Sequence, residues 1–514
     1  MESAGTRPPS YDSMPSADDR QVEERTTATA QFASGRVELG VPWIEMEPHV
    51  SSNRPQAAQR LRSLEHSLSR RPSVRQRYHD VMQSHLAKGY IREVPSEEVD
   101  GDGDNQWFLP HFPVVRDDKE TTKVRIVFDA AAKWDGRSIN DEMHSGPALQ
   151  TDLVKVLICF CSEPVALVAD ISEMFLQVML RKSDRKYHRF LWRFDDGPAH
   201  VYEFQHVVFG IKASPYLAVE DAVKSRLHCQ EILAHGGFHL RKWLSNIAEV
   251  VESVPVADRA ASTVVNVGDH VHCTLPTTKT LGVTWSAKQD TFTFRFQQPQ
   301  LSKLTRRSVL SGVATAFDPR GQISPFIIRA RVLLQDTWLL GLSWDDELPS
   351  TVATKWKAWF GELPALAAIA APRSFKASAA SSVSIHTFTD TSDRAIAAAT
   401  YVRAEDSSGA VRVTLAMAKA KTAPTRRQTI PQLELRGAVL GLRISSEVGD
   451  ALDVPISEHT FWDGSGRTAV DSRWTLATAC PSCNVPPSRP SGSMFPENSI
   501  RPTRVRVGYS GGIG

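Results

Sequence analysis

The chain has 514 residues, 41% hydrophobic and 23% charged, which is enough for two or three packed domains rather than one. Its 60 Lys and Arg balance 58 Asp and Glu, and the resulting net charge of +2 excludes a whole-chain attraction to nucleic acid or anionic membranes. No run reaches the roughly 18 apolar residues of a membrane helix, and the N-terminus has no apolar core segment. We therefore expect an intracellular protein, cytoplasmic or nuclear, without a membrane partner.

The first 104 residues are predicted to be disordered up to residue 36 and helical after it. Residues 1–36 are rich in Ser, Thr, Pro and charge, which is typical of disorder. Residues 37–104 form a helical segment, because apolar residues recur at helical spacing from Pro55 and again after Pro72 until Gly89. This pattern predicts a helical hairpin.

Residues 105–262 predict a mixed unit of strands and helices. Two strands flank a polar turn at 105–129, and a buried strand covers 163–170. A further strand near residue 200 leads to a glycine turn and to a helix that opens near Pro215. Asp195 and Asp196, in "FDDG", are read as a hairpin turn. This order favours an α+β fold with a palm-like unit.

The rest of the chain divides by composition. The predicted segments are a mostly helical connection, an Ala- and Ser-rich linker, a sheet followed by an amphipathic helix, and a disordered tail (263–364, 365–382, 383–474 and 475–514). The six cysteines are too few for a disulfide framework. Cys480 and Cys483 form a C-x-x-C without a second ligand pair, which favours a loop over a zinc site.

The order of several segments resembles the polymerase polyprotein of BEL/Pao-type retrotransposons. The segments that carry it include "KVRIVFDAAAKWDGRSIN", "VADISEMFLQVML", "FGIKASPYLA", "GVATAFDPRGQISPFIIRARVLLQDTW", "FTDTSDRAIAAATYVR" and "QTIPQLELRGAVLGLR". The resemblance covers roughly residues 37–465. It implies a reverse-transcriptase-like palm and fingers, a helical connection, and an α/β ribonuclease H-like domain.

For the polymerase unit, the resemblance assigns roles to six residues. Asp170 matches the first ligand for two catalytic Mg²⁺ or Mn²⁺ ions, Phe175 the aromatic that closes the sugar pocket, and Arg125 a cation for the incoming triphosphate. The template grip, where small residues allow close approach of the nucleic acid, is matched by Gly210, Ala213 and Pro215. On the residues alone, Arg125 can equally be a surface cation and Phe175 ordinary core.

The polymerase site is incomplete in this sequence. Members of the family carry a Tyr-x-Asp-Asp turn after the template grip, whereas residues 219–235 read "VEDAVKSRLHCQEILAH". Asp221 follows Glu220 in a predicted helix and cannot replace a carboxylate pair on a β-turn. We therefore expect a polymerase that is inactive, either through decay of the element or through a skipped coding segment.

The C-terminal segment resembles a ribonuclease H domain, also a two-metal fold. The resemblance assigns metal binding and catalysis to Asp390 after the first strand, Glu434 on the first helix and Asp463 after a later strand. A fourth acidic residue is missing in its usual place, so the domain is predicted to be truncated. RNA template and RNA/DNA hybrid are the implied partners, with other retroelement proteins as possible ones. The basic stretch "KAKTAPTRR" at 419–427 is either a phosphate contact or a solvated turn.

Three functions are left open. The first is a fragment of a reverse transcriptase with ribonuclease H, and the second is a non-catalytic nucleic-acid-binding remnant. The third, a peptidase, is suggested only by the label Pao-type peptidase that the connecting segment carries in this family. No Asp-Thr-Gly or Asp-Ser-Gly loop occurs, and "FDPRG" at 317–321 and "WDGSG" at 462–466 are partial matches. The connecting segment also contains no nucleophile turn of the G-x-S-x-G type.

Overall fold

A computed structural model gives the fold of most of the chain. The residues that the structure describes are 16–33, 35–115, 124–147, 152–194, 197–208, 211–213, 237–260, 264–267, 270–273, 275–280, 282–294, 296, 303–377, 380–452 and 454–463. They fall into two compact units, Met1–Gln150 with Asp170–Arg241, and Thr151–Ala169 with Lys242–Gly514. Within the described residues, no helix is both long and apolar enough to cross a lipid bilayer.

The first unit combines helices with short antiparallel strands. Its helices are α1 (Ala17–Thr29), α2 (Arg54–Ser69), α3 (Pro72–Ala87) and α4 (Ser96–Gly101). Its strands are β1 (Gln31–Ala33), β2 (Arg36–Leu39), β3 (Ile91–Glu93), β4 (His111–Val115), β5 (Val124–Phe128), β7 (Met179–Leu180), β8 (Arg189–Trp192) and β9 (His200–Phe204). The sheets have the orders β1-β2-β7, β3-β9-β8 and β4-β5. The helical hairpin and the strand pair around the polar turn are present as predicted.

The N-terminal segment differs from the prediction of disorder. Residues 16–33 form α1 and β1, and α1 begins with a capping box in which Ser16 and Asp19 bond each other's backbone N–H groups. Val22 and Thr26, one helical turn apart, are 1% and 2% exposed. Two buried positions on one face suffice to dock a short helix against the rest of the unit. The polar composition of this segment predicted disorder because two such positions barely change it.

Four histidines lie in low-polarity surroundings in this unit. Burial lowers the pKa of His85, His111 and His206 to about 4, and it also lowers the pKa of His188. His111 accepts the Tyr78 hydroxyl at Nδ1 and donates from Nε2 to the Leu191 carbonyl at 2.9 Å, which fixes its neutral tautomer. These rings are therefore uncharged in the folded unit at neutral pH.

We expect stability to fall on mild acidification. Because the folded pKa is depressed, the unfolded chain binds more protons, and stability that is present above about pH 6.5 is lost as pH falls toward 4. Each histidine contributes a slope of about 1.4 kcal/mol per pH unit in that window. Urea unfolding at pH 5 and pH 7 should show this difference reduced by His206→Phe and unchanged by His49→Phe, since His49 is exposed. Equal differences for both variants would contradict the assignment.

Among the described residues, the second unit contains the longest strands and the longest helix. Its helices are α5 (Leu153–Ser162), α6 (Ala248–Glu252), α7 (Arg306–Ala314), α8 (Ser324–Leu339), α9 (Ser350–Glu362) and α10 (Ile430–Ala451). Its strands are β11 (Val264–Val267), β12 (His270–Cys273), β13 (Thr277–Thr280), β14 (Val283–Ser286), β15 (Thr291–Thr293), β16 (Ala370–Pro372), β17 (Ser382–Thr391), β18 (Ala395–Glu405), β19 (Val411–Thr422) and β20 (Glu458–Asp463). The sheets have the orders β11-β12, β13-β14-β15-β16 and β19-β18-β17-β20.

The C-terminal sheet has a mixed topology. Strands β17, β18 and β19 form an antiparallel meander, α10 follows, and β20 then pairs parallel to β17. Along β18 the residues alternate between buried and half-buried, as a strand with two unequal faces requires. The parallel return across a helix brings the carboxyl ends of β17 and β20 to one edge of the sheet.

The Ala- and Ser-rich segment 365–382 is packed into the fold, and the prediction of a linker there is wrong. Strand β16 pairs with β15, and Arg373, Phe375 and Ala377 are at most 2% exposed. The Phe375 N–H donates to the Cys161 carbonyl at 2.7 Å. Composition favoured a linker because short side chains are shared by linkers and by close-packed segments.

The loop "FDPRG" joins the helical connection to the C-terminal sheet. The Ala418 N–H donates to the Arg320 carbonyl at 2.8 Å, and the Arg320 guanidinium donates to the carbonyls of Ala416 and Leu415 at 2.9 and 2.7 Å. Further along α8, Arg331 and Gln335 donate to the Ala420 and Ala423 carbonyls, each at 2.7 Å. The otherwise open edge of β19 is thereby covered by the loop and by α8.

Candidate active site

Three acidic positions lie at one end of the C-terminal sheet. Asp390 is the penultimate residue of β17, Asp463 is the last residue of β20, and the two strands are adjacent and parallel, with Asp463 opposite Thr389. Glu434 lies in the first turns of α10. The strand, helix and strand positions predicted from the sequence are therefore the ones that the structure shows.

Close packing of α10 on β17 sets the position of Glu434 along the direction of the strand. A Cβ atom built on Gly437 would lie 2.7 Å from Thr391 Cγ2, and one built on Gly441 would lie 2.5 Å from Thr389 Cγ2. The helix thus runs back along the strand, and Glu434, one turn before Gly437, lies toward the carboxyl end of β17. A side chain at either glycine would clash with a threonine methyl group, so the threonine or the helix would have to shift.

The carboxylates at this end face solvent. Asp390 and Glu434 are both exposed, and one Asp390 oxygen accepts the Thr391 N–H at 2.9 Å. The backbone of Asp463 is described, whereas its side chain lies outside the described part. Among the side chains described, no three of Asp, Glu, His or Cys gather closely enough to hold a metal ion. Asp390 and Glu434 nonetheless offer hard oxygen ligands, the donor type that Mg²⁺ and Mn²⁺ prefer.

An aromatic pair accompanies Asp390 on β17. The rings of Phe388 and Trp462 stack with centroids 5.9 Å apart and an interplanar angle of 10°, and Tyr401 meets Phe388 edge-on at 5.7 Å. Phe388 is 46% exposed. Nucleic-acid bases stack on exposed rings of this kind. The sequence shows these aromatics, but the pairing of Phe388 with Trp462 follows only from the parallel register of β17 and β20.

Asp170 lies in surroundings different from those predicted. It belongs to β6 (Leu167–Ile171), which pairs with β10 (Leu240–Ser245) in a two-stranded sheet. The prediction of a buried strand is wrong, because Leu167 is 49% exposed and Asp170 is exposed as well. A sheet of two strands has too few neighbours to enclose both faces.

The turn after Asp170 is held by polar contacts. Glu173 adopts a left-handed conformation with φ 52°, which is uncommon for a residue with a side chain. Its carboxylate accepts Lys88 Nζ at 2.8 Å and the Tyr90 hydroxyl at 2.9 Å. Burial acts to raise the Glu173 pKa, but the bonds from Lys88 and Tyr90 outweigh it and lower the pKa overall. No pattern in the sequence indicates this network.

The other predicted substrate contacts are distributed differently. Arg125 is exposed on β5, as a phosphate-binding cation requires, while Phe175 is half-buried against the core of the first unit. Ala213 is completely buried in that core, so its methyl group is not available to a ligand. Gly210, Pro215, the 219–235 segment, Asp195, Asp196, the C-x-x-C motif and the C-terminal tail lie outside the described residues.

The peptidase-like loop "FDPRG" has a structural role. The Asp318 carboxylate accepts the N–H groups of Gln322 and Ile323 at 2.9 and 2.7 Å, just before α8 begins. Burial raises the Asp318 pKa, and these backbone bonds oppose that shift. Both of its oxygens are engaged in shaping the turn, so the loop provides no pair of free catalytic carboxylates.

Comparison with known proteins identifies the C-terminal region. Residues 305–465 match the sequence family described as Pao retrotransposon-like RNaseH-like domain. The match runs from α7 to β20. It therefore joins the helices of the connection and the C-terminal sheet, two regions that were predicted to be separate domains. A comparison with curated proteins gave no match.

The chain is similar to solved structures of a foamy viral protease-reverse transcriptase. The foamy viral protease-reverse transcriptase dRH in complex with ds DNA aligns with a TM-score of 0.51 at 13% identity, over 90% of this chain and 69% of that chain. The foamy viral enzyme with RNA/DNA hybrid gives 0.48 at 12% identity over 90% and 58% of the two chains, and with dsDNA 0.49 at 12% over 88% and 82%. The first alignment shows the predicted mixed α+β, reverse-transcriptase-like fold.

Proposed function

We propose that this chain, whose residues 305–465 carry the Pao retrotransposon-like RNaseH-like domain, is a retrotransposon-derived polypeptide that engages RNA/DNA hybrid and does not extend primers. The observation that carries the proposal is the convergence of β17, β20 and the start of α10 at one edge, with Asp390, Asp463 and Glu434 on them. The resemblance to the polymerase family supplies the substrate class.

Each part of this edge has a distinct role in the proposal. Asp390, Glu434 and Asp463 would hold a divalent cation, which supplies Lewis-acid activation of water for attack on the RNA strand. The exposed Phe388 ring, stacked on Trp462, is on the same face of β17 as Asp390 and offers a surface for sugar or base contacts beside that carboxylate. Such a site reads the shape and the 2′-hydroxyls of a hybrid rather than its sequence.

The polymerase unit is proposed to retain template-primer contacts without turnover. Asp170 and Arg125 are both exposed, so both are accessible to substrate. A two-metal polymerase nevertheless needs further carboxylates, and residues 219–235 lack a Tyr-x-Asp-Asp sequence. Asp170 alone cannot hold two cations.

The test uses the full chain with a labelled RNA/DNA hybrid and, separately, a primed RNA template, each in Mg²⁺ and in Mn²⁺. We expect hybrid cleavage that Asp390→Asn lowers at least a hundredfold and that Asp393→Asn leaves unchanged, because Asp393 is a neighbouring exposed acid outside the site. Primer extension should be absent. Extension that disappears in Asp170→Asn would overturn the proposal of an inactive polymerase.

A non-catalytic hybrid-binding remnant is the second candidate. It is favoured by the exposure of Asp390 and Glu434 and by the lack of a three-ligand cluster among the described side chains. Tight hybrid binding without cleavage in either metal would select it over the nuclease.

A further inference from the structure

Four cations surround the outer strand of the C-terminal sheet. Lys419 and Lys421 lie two residues apart on β19, opposite Ala398 and Ile396 of β18, respectively. Those two residues contact α10, since Cβ atoms built on Gly441 and Gly437 would lie 3.9 and 3.8 Å from them. The lysines are therefore on the same face of the sheet as α10.

The other two cations come from the helices on either side. Arg443 projects from α10, two residues after Gly441, and is exposed. Arg331 of α8 is also exposed and donates to the Ala420 carbonyl, between the two lysines, at 2.7 Å. The "KAKTAPTRR" stretch is thus partly ordered strand, because β19 extends through Thr422, and its lysines join cations from distant parts of the sequence.

These charges repel one another. Burial lowers the Lys421 pKa, and Lys419, Arg443 and Arg331 lower it further. Within the described residues none of the four forms an ion pair, whereas nearby Arg329 and Arg394 are matched with Glu362 and Asp336. Among the described residues, Glu447 is an acid close enough to Lys419 and Arg443 for both cations to lower its pKa, against the larger effect of burial, which raises it. A single carboxylate beside four cations leaves most of their positive charge unneutralised.

We propose that Lys419, Lys421, Arg443 and Arg331 form a phosphate-binding surface that holds the backbone of an RNA/DNA hybrid against β19, between α8 and α10. The inference rests on the proposed function for its ligand but uses residues separate from Asp390, Glu434 and Asp463. Two lysines on β19 and one arginine on each flanking helix, none of them ion-paired within the described residues, suit a polymer of phosphodiesters, whose binding releases condensed counterions. The surface adds affinity without sequence preference.

The test compares two triple variants of the full chain. Lys419→Gln with Lys421→Gln and Arg443→Gln removes three charges of the surface, and Lys303→Gln with Lys355→Gln and Lys357→Gln removes three exposed charges elsewhere. Binding of a fluorescent RNA/DNA hybrid is followed by anisotropy between about 50 and 200 mM KCl, after circular dichroism has established that both variants fold.

We expect the surface variant to bind at least tenfold more weakly at low salt. Its plot of log affinity against log salt concentration should be shallower by about 2 to 3, while the control variant matches the wild type. Equal salt slopes for all three proteins would overturn the surface and leave the proposed function standing. Failure of the wild type to bind hybrid would overturn both. Surface-dependent binding to anionic lipid vesicles, with hybrid binding unaffected, would also overturn the nucleic-acid assignment.

Discussion

Replacing Gly321 with alanine is expected to lower the free energy of unfolding of the second unit by about 3 kcal/mol or more. Gly321 has φ 73°, and a Cβ atom on it would lie 1.7 Å from the Ala418 carbonyl oxygen. The loop would have to leave β19 and lose its hydrogen bonds from Arg320, each worth about 1 kcal/mol. Equilibrium urea unfolding measures the change.

Gly341 provides the matched control for Gly321. It also has a positive φ, 67°, but no heavy atom lies within 4 Å of its added Cβ. Gly341→Ala should therefore cost only the backbone strain of about 1 kcal/mol. Similar losses for the two variants would show that the "FDPRG" loop does not depend on its close approach to β19.

Replacing Arg373 with methionine is expected to cost about 3 to 5 kcal/mol of unfolding free energy, the range for breaking a buried ion pair. Arg373 is fully buried, and its guanidinium bonds both Asp290 oxygens, at 2.5 and 2.9 Å. It also donates to the carbonyls that end α5, those of Phe160, Glu163 and Pro164. Methionine would remove every one of these guanidinium bonds, although the Trp285 indole N–H still donates to Asp290 Oδ1 and the Asn246 amide still donates to the Pro164 carbonyl.

Arg394→Met is the control for this loss. Arg394 and Asp336 form a bidentate pair at 2.8 Å, but both side chains are substantially exposed, 51% and 40%. Exposed pairs contribute less than about 1 kcal/mol. If chemical denaturation finds equal costs for the two variants, Arg373 is not the anchor of segment 365–382.

Local periodicity predicted the elements that depend on local sequence. The hairpin of α2 and α3 follows from apolar residues at helical spacing, and the hairpin of β17 and β18 follows from alternation. The order of Asp390, Glu434 and Asp463 was predicted from a resemblance, and the parallel register of β17 and β20 explains why these distant positions meet at one edge.

The features that escaped prediction depend on contacts between distant residues. From the sequence, Arg373 is indistinguishable from an exposed cation in a linker. Its burial depends on Asp290 and the end of α5, which are distant in the sequence. Gly321 looks like an ordinary turn residue, because only the position of Ala418 makes a side chain impossible there. Asp170 was expected on a buried strand because an apolar run is compatible with burial. Burial also requires neighbouring strands, and among the described residues β6 pairs with β10 alone.

Mn²⁺ binding to the full chain, followed by electron paramagnetic resonance, probes the carboxylates at the shared end of β17, β20 and α10. We expect a bound cation whose affinity falls at least tenfold in Asp390→Asn and in Glu434→Gln. It should stay unchanged in Asp393→Asn, an exposed acid three residues from Asp390. Equal Mn²⁺ affinity in all four proteins would contradict a metal site at the shared end of β17, β20 and α10.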